Sequence, residues 1–201
     1  DRLETGTYIM AAGITNGELE LTHTSLDLLP TVVSVLEDAG FHFEKTANGV
    51  KVRRRDRNRP LKAIDMITEP YPGFPNDLQP QFMALMTTAE GSSVVTETIF
   101  ENRYMHVPEL ARMGANIVVH GSSAMIRGVK KLRAAEVMAT DLRASLSLVI
   151  AALVAEGETT IHRIYHLDRG YEKLEEKLSA CGAIIKRVSE RESAASNAEA
   201  A

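Results

Sequence analysis

Hydrophobic and polar positions follow the same order three times along the chain. In each case an acidic residue, Glu4, Asp77 or Asp141, precedes an apolar segment that ends at a glycine. A segment that is apolar on all sides is typical of a helix buried in a domain core. The pattern predicts three core helices, within residues 4–17, 77–91 and 141–157.

A strand and an amphipathic helix follow each core helix. The strands are indicated by alternation or by β-branched residues at 18–21, 93–98 and 159–164. The helices end at glycines that follow a leucine by four residues, and we expect these in the left-handed conformation of a helix C-terminus: Gly40, Gly114 and Gly182. From glycine to glycine, across strand and helix, the separations are 23, 23 and 25 residues.

Each unit is expected to finish with a hairpin. The first turns at Asn48-Gly49, a dipeptide that supplies the positive φ angles of a tight turn, and the second turns at Gly121-Ser122. Residues 183–188 occupy the corresponding place in the third unit.

The threefold order predicts a single domain over residues 1–189. Its repeats span about 1–59, 60–128 and 129–189. Residues 190–201 are rich in Ala, Ser and Glu without periodicity, which predicts a disordered tail.

Composition excludes several classes of protein. The net charge is -4 and no basic block is present, which argues against a nucleic-acid partner. The arginines at 53–57 are interpreted as a solvated turn. No apolar run reaches the roughly 20 residues that span a bilayer, and no segment resembles a secretion signal. The single cysteine excludes an internal disulfide and fits a reducing cytoplasm, so we expect a cytoplasmic protein without a membrane.

Metal and nucleotide motifs are also missing. The six histidines form no H-x-x-x-H or Cys/His cluster, so we expect no metal, and no G-x-G-x-x-G or Walker loop occurs. Cys181, one residue before Gly182, has no neighbouring histidine or basic pair and is interpreted as a buried or half-buried structural thiol.

Candidate chemistry lies where the core helices begin. Thr140 can accept a hydrogen bond from a free backbone N–H of the first helical turn, and Asp141 lies where the helix dipole favours an anion. Asp141 and Arg143 are charged groups at the edge of a buried element, which is costly unless they are used. Asp77, on a loop rich in Pro and Gly, can act as a general base. It can equally be an N-cap that holds the first turn, and Asp141 admits the same two interpretations.

Two arginines lie at equivalent strand-to-helix junctions. Arg103 follows the strand of the second unit and Arg169 follows that of the third. Guanidinium groups can converge on a phosphate or carboxylate, which each binds through two hydrogen bonds. The alternative is a pair of surface arginines.

Four segments resemble the bacterial UDP-N-acetylglucosamine enolpyruvyl transferases. They are FPNDLQ at 74–79, TETIFENRYMH at 96–106, ATDLRAS at 139–145 and YHLDRGY at 165–171. The resemblance covers nearly the whole chain to about Val188 in the same order.

The resemblance implies an α/β fold, the inverse α/β prism. In this family two similar domains, each of three helix-strand units, close around the substrate. The chain resembles the domain that holds the C-terminus, without a short N-terminal segment and without the other domain. The implied reaction transfers enolpyruvyl from phosphoenolpyruvate to the 3′-hydroxyl of UDP-N-acetylglucosamine and releases phosphate, the committed step of peptidoglycan synthesis, with no cofactor.

The resemblance also implies roles for individual residues. Asp77 would take the proton of the sugar hydroxyl, and the Ile99 backbone would contact the sugar nucleotide. Arg103 and Arg169 would hold the phosphoenolpyruvate anion. The roles of Asp141 and Arg143 would be to shape the catalytic network at the helix start, with Asp141 and Arg169 counted as catalytic beside Asp77.

The chain departs from the family in what it lacks. The family's mobile-loop cysteine, its general acid, belongs to the other domain, and Cys181 does not match it. We therefore expect the chain alone to lack turnover. A shikimate-3-phosphate enolpyruvyl transferase is the alternative within the fold, although ATDLRAS and FENR fit it worse. A non-catalytic binding module of the same fold is the alternative from another class.

Overall fold

The computed structural model describes residues 1–188, so the predicted disordered tail at 190–201 lies outside the described residues. The chain divides into two compact units, Asp1–Gly170 and Tyr171–Ala201. A single domain over residues 1–189 with three repeats stays a prediction.

The helices and strands of the described chain follow the predicted order. The helices are α1 (Arg2–Ile14), α2 (Pro30–Ala39), α3 (Gln79–Met86), α4 (Val107–Arg112), α5 (Leu142–Ala152) and α6 (Leu174–Ala180). The strands are β1 (Glu18–Thr22), β2 (Phe41–Lys45), β3 (Gly49–Arg54), β4 (Met66–Ile67), β5 (Ser92–Thr96), β6 (Asn116–His120), β7 (Ser123–Arg127), β8 (Glu136–Met138) and β9 (Thr160–His162).

Helices α1, α3 and α5 form the centre of the unit Asp1–Gly170 and contact one another. Every residue of α3 is buried, as are Thr5 to Ile14 of α1 and Ala144 to Ala151 of α5. These are the three predicted core helices. Their lack of a polar face is explained by neighbours on all sides.

Two glycines in α1 let its neighbours approach more closely than any side chain would permit. A Cβ atom at Gly13 would lie 2.0 Å from the Phe41 ring, and one at Gly6 would lie 2.4 Å from Leu78. Both partners are fully buried. The glycines therefore bring α1 directly against β2 and against the turn that precedes α3.

Three small sheets pack against the helices. Their strand orders are β1-β3-β2, β4-β5-β7-β6 and β8-β9, with β4 parallel to β5 and β8 parallel to β9. Inward side chains from each sheet, such as Val52, Val95 and Val137, belong to the same apolar core as the helices. Buried helices surrounded by sheets are the arrangement expected of an inverse α/β prism.

Several local predictions are confirmed and others are wrong. Gly40, Gly114 and Gly182 have φ angles of +110°, +89° and +98°, as expected after a helix, and Gly121 turns the β6–β7 hairpin with φ +60°. The turn at Asn48-Gly49 does not use positive φ angles. β2 and β3 are joined by residues 46–48, and a Cβ atom at Gly49 would instead lie 1.9 Å from the carbonyl oxygen of Leu21 on the paired strand.

Two further predictions are wrong, one about a strand and one about solvated arginines. Residues 183–188 form no strand within the described chain. The arginines at 53–57 are not all solvated. Burial lowers the pKa of Arg54, and its side chain donates to the carbonyls of Gly13 (2.7 Å) and Ile14 (3.0 Å), which satisfies the last turn of α1.

Candidate active site

Asp77 lies in a single 3-10 turn, Asn76–Leu78, that leads into α3. Pro80 sits in the first turn of α3, and no side chain caps that helix. Proline has no N–H to satisfy, and this reduces the need for a capping oxygen. The N-cap interpretation of Asp77 is therefore wrong, and its carboxylate is available to other partners.

Those partners are two arginines. Asp77 Oδ1 forms an ion pair with Arg143 Nε and lies 3.8 Å from a terminal nitrogen of Arg103. The three side chains are 24% (Asp77), 37% (Arg143) and 20% (Arg103) exposed, so water and a ligand can reach them. The structure thus joins three residues from different parts of the chain into one cluster, which we call the Asp77 cluster.

Arg143 is placed by the start of α5. Asp141 is the N-cap of that helix, and its Oδ1 accepts from the backbone N–H groups of Arg143 (2.8 Å) and Ala144 (3.0 Å). The capping interpretation is confirmed for Asp141. The expectation that Thr140 would cap the helix is wrong, because its hydroxyl is buried and has no partner in the described chain.

Arg103 is placed by the loop between β5 and α4. Its guanidinium lies over the ring of Phe100, 5.1 Å from the centroid, and Asn102 before it has φ +56°. Ile99, expected to offer its backbone to a sugar nucleotide, already donates its N–H to Glu97 Oε1 (2.8 Å). The carbonyl of Ile99 is therefore the backbone group left to contact a ligand.

Two buried residues beside this loop were missed by sequence reasoning. Glu97, 4% exposed, directly follows β5 and accepts three hydrogen bonds. His106, 1% exposed, has its pKa lowered to about 4, mainly by burial. The charge of Asp141 raises the pKa of His106 and that of Arg103 lowers it, so the imidazole interacts with the cap of α5 and with one arginine of the cluster. The sequence signal that could have identified Glu97 and His106 is a polar residue at the end of an apolar segment.

Arg169 takes no part in the ion pairs of the Asp77 cluster. It ends the 3-10 helix Ile164–Arg169, is exposed, and makes no ion pair with the part of the chain that the structure describes. The convergence of Arg103 and Arg169 on one anion therefore stays a prediction. Arg143 is the second arginine beside Arg103.

Other candidate groups lie elsewhere or are lacking. Cys181, interpreted as a buried thiol, is exposed at the C-terminus of the seven-residue helix α6. Among residues 1–188, no group of His, Cys, Asp and Glu is arranged to hold a metal ion. In the same residues, no helix is both long and apolar enough to cross a membrane.

The Asp77 cluster has the composition of a proton-transfer and anion-binding site. A carboxylate can take a proton from a hydroxyl group, and guanidinium groups can bind carboxylate or phosphate through paired hydrogen bonds. An anion that engages Arg103 or Arg143 would compete with Asp77 for them. Binding would then change the charge around Asp77 directly.

Known proteins resemble the chain over most of its length. The sequence model of the EPSP synthases (3-phosphoshikimate 1-carboxyvinyltransferases) matches residues 1–178. A UDP-N-acetylglucosamine 1-carboxyvinyltransferase of Paramagnetospirillum magneticum is 61% identical over 188 residues, or 94% of this chain and 43% of the relative. A protein of the same name from Rhodospirillum centenum is 62% identical over 190 residues, covering 94% and 44%.

Solved structures also resemble the fold of this chain. The enolpyruvyl transferase NikO of Streptomyces tendae has a TM-score of 0.83 and 29% identity, covering 92% of this chain and 44% of that one. EPSP synthase of Acinetobacter baumannii has a TM-score of 0.76 at 19% identity, which supports the fold alone, over 94% and 47% of the two chains. The predicted α/β prism is confirmed. The chain spans less than half the length of the curated relatives it matches.

Proposed function

Because the chain belongs to the EPSP synthase family, we propose that it forms part of an enzyme that transfers enolpyruvyl from phosphoenolpyruvate to the 3′-hydroxyl of UDP-N-acetylglucosamine and releases phosphate. This reaction is the committed step of peptidoglycan synthesis, and we place it in the cytoplasm. The observation that carries the proposal is the Asp77 cluster, in which one accessible carboxylate lies between Arg143 and Arg103. The names of the relatives support this sugar nucleotide rather than a shikimate substrate.

Each residue of the site has its own role in the reaction. Asp77 accepts the proton of the sugar hydroxyl, and Arg103 binds the phosphoenolpyruvate anion. Arg169 also binds that anion, closing on the site. Asp141 fixes the start of α5, so that Arg143 reaches Asp77. The Ile99 carbonyl contacts the sugar nucleotide.

Electrostatics and positioning provide most of the catalysis in this scheme. Addition joins the sugar oxygen to C2 of phosphoenolpyruvate while an acid of the second domain protonates C3, and loss of a proton from C3 then expels phosphate. The two steps need a base at the hydroxyl and positive charge at the anionic donor. Groups fixed before the substrate arrives avoid the cost of reorganisation during the reaction. The cap at Asp141 and the buried bonds of Glu97 provide such fixed positions.

A chimera tests the proposal. The matched segment of the Paramagnetospirillum magneticum relative is replaced by this chain, and phosphate release from phosphoenolpyruvate is measured with UDP-N-acetylglucosamine as acceptor. We expect steady turnover, lost in Asp77→Asn. The matched control is Asp65→Asn, whose carboxylate accepts the N–H of Val94 (2.7 Å) in another loop. A folded but inactive chimera would contradict the proposal.

The chain by itself provides a second test. We expect weak binding of UDP-N-acetylglucosamine by calorimetry, weakened further in Asp77→Ala, and no phosphate release, since the relatives are more than twice as long. Robust phosphate release by the chain alone would contradict the view that a second domain completes the site.

A further inference from the structure

Glu97 is a buried carboxylate in the centre of a backbone turn. Its Oε1 accepts from the Thr68 hydroxyl (2.9 Å) and from the backbone N–H groups of Ile99 (2.8 Å) and Phe100 (3.1 Å). Burial of a charge is unfavourable unless hydrogen bonds compensate it, and bonds to a charged acceptor are the stronger kind. The carboxylate therefore fixes the backbone of Ile99 and Phe100 in the loop after β5.

Thr68 extends this arrangement to the neighbouring strand. It lies directly after β4, donates to Glu97, and accepts from the backbone N–H of Thr98 (2.9 Å). Its own N–H donates to the Thr96 carbonyl (2.9 Å). Glu97 and Thr68 together engage the N–H groups of three consecutive residues, Thr98, Ile99 and Phe100.

The far end of the loop is also fixed. The hydroxyl of Tyr104 contacts the carbonyls of Val95 (3.0 Å) and Ser122 (2.8 Å). Arg103 lies between this anchor and Phe100, whose ring it covers. The short segment that carries the arginine is thus held at both ends.

From this geometry we propose that Glu97 is a positioning residue of the active site. It does not touch the substrate. It holds the backbone of Phe100, the Phe100 ring supports the Arg103 guanidinium, and the guanidinium faces Asp77 at 3.8 Å. The catalytic consequence rests on the proposed function, whereas the placement of Arg103 does not.

The placement is tested on the 201-residue chain by NMR. Protons of the Arg103 side chain next to the Phe100 ring should show ring-current shifts. We expect Glu97→Ala to abolish these shifts and Glu97→Gln, which keeps an acceptor oxygen, to retain them. The matched control is Glu109→Ala, which removes another carboxylate that accepts a backbone N–H, that of Met138 (2.8 Å).

A second variant covers the case in which Glu97→Ala does not fold. Thr68→Val removes the hydroxyl that donates to Glu97 and accepts from Thr98, and it should weaken the Arg103 shifts. The proposal is overturned if the folded Glu97→Ala or Thr68→Val variant leaves the Arg103 shifts unchanged, or if Glu109→Ala alters them equally.

The catalytic consequence is tested in the chimera. Since displacement by about 1 Å can cost on the order of 100-fold in rate, we expect Glu97→Ala to lower kcat/KM for phosphoenolpyruvate by about 100-fold. Glu97→Gln should keep most of the parent kcat/KM, and Glu109→Ala should have a kcat/KM near that of the parent. An inactive parent chimera would reject the proposed function, while the NMR result would still decide the placement. Equal kcat/KM in Glu97→Ala and the parent would overturn the positioning role.

Discussion

The starts of α3 and α5 look alike in sequence and differ in what their aspartates do. Asp141 turns its carboxylate to the backbone and caps α5. Asp77 lies in a 3-10 turn before α3, caps nothing, and pairs with Arg143 and Arg103. One carboxylate stabilises a helix and the other is accessible at a cluster of charges.

The difference shows how a small change in local sequence frees a functional group. Pro80 in the first turn of α3 lacks an N–H, whereas Arg143 and Ala144 in the first turn of α5 both present one. The aspartate that is not needed for capping can then serve chemistry. The two helix starts also depend on each other, because capping by Asp141 orients the residue that pairs with Asp77.

The largest expected effect separates the two aspartates by activity. In the chimera, Asp77→Asn should reduce phosphate release by about 1,000-fold, within the 10²–10⁴ range of general base catalysis. The free energy of unfolding should change by less than about 1 kcal/mol, because the ion pairs are partly exposed. Urea denaturation measures the second quantity. A stability loss as large as that of a helix cap would mean that Asp77 is structural after all.

The next effect depends on His106, whose pKa is lowered by burial, raised by Asp141 at the start of α5 and lowered by Arg103 of the Asp77 cluster. In the unfolded chain its pKa is near 6.5, and in the folded chain it is about 4. Between these values the unfolded state binds more protons, so stability falls as pH falls from 6.5 to 4 and falls no further below that from this group. The free energy of unfolding that His106 removes between pH 6.5 and pH 4 is about 3 kcal/mol.

Replacement of His106 measures this contribution. His106→Leu should flatten the difference in unfolding free energy between pH 7 and pH 4 relative to the parent chain. An unchanged pH profile would show that the pKa of the imidazole is the same in the folded and unfolded chain.

A smaller effect is expected at the α5 cap. Asp141→Ala should lower the free energy of unfolding by about 1 kcal/mol, whereas Asp141→Asn, which keeps a capping oxygen, should cost less than half of that. Chemical denaturation of the three proteins gives the comparison. Equal losses in both variants would indicate that the charge of Asp141, rather than its hydrogen bonds, stabilises the helix.

The smallest effect tests the proline. Pro80→Ala should cost about 0.5 kcal/mol, chiefly because alanine gives the unfolded chain more freedom. The new N–H at position 80 also offers Asp77 a backbone partner. We therefore expect a modest loss of phosphate release in the chimera, and unchanged activity would argue against competition between capping and catalysis.

Local features of the fold were predictable because their causes are local. A buried helix has no polar face, and many helices end at a glycine with positive φ, so the core helices and Gly40, Gly114 and Gly182 could be located. The prediction at Asn48-Gly49 is wrong because the dipeptide also suits a close approach of two strands. There glycine is required because no side chain would fit, and not because of its φ angle.

The candidate site could be predicted only in part. The ion pair between Asp77 and Arg143 joins the starts of two helices far apart in sequence, and no periodicity reports such a contact. Glu97 looks like a solvent-exposed strand residue until its buried partners are known. The resemblance named Asp77, Arg103, Arg143, Ile99, Asp141 and Arg169, but it gave no geometry, and their catalytic roles stay predictions.

The close contacts at Gly6 and Gly13 have a consequence for the order of folding. Glycine in a helix interior costs about 1 kcal/mol relative to alanine, so α1 has a weak intrinsic tendency to form. The same two positions meet Leu78 and Phe41, which lie far along the chain and must already be in place for the helix to gain from them. α1 is therefore a helix that forms by docking. Its amide protons should exchange with solvent only when the whole unit opens, although the isolated segment would be almost unstructured.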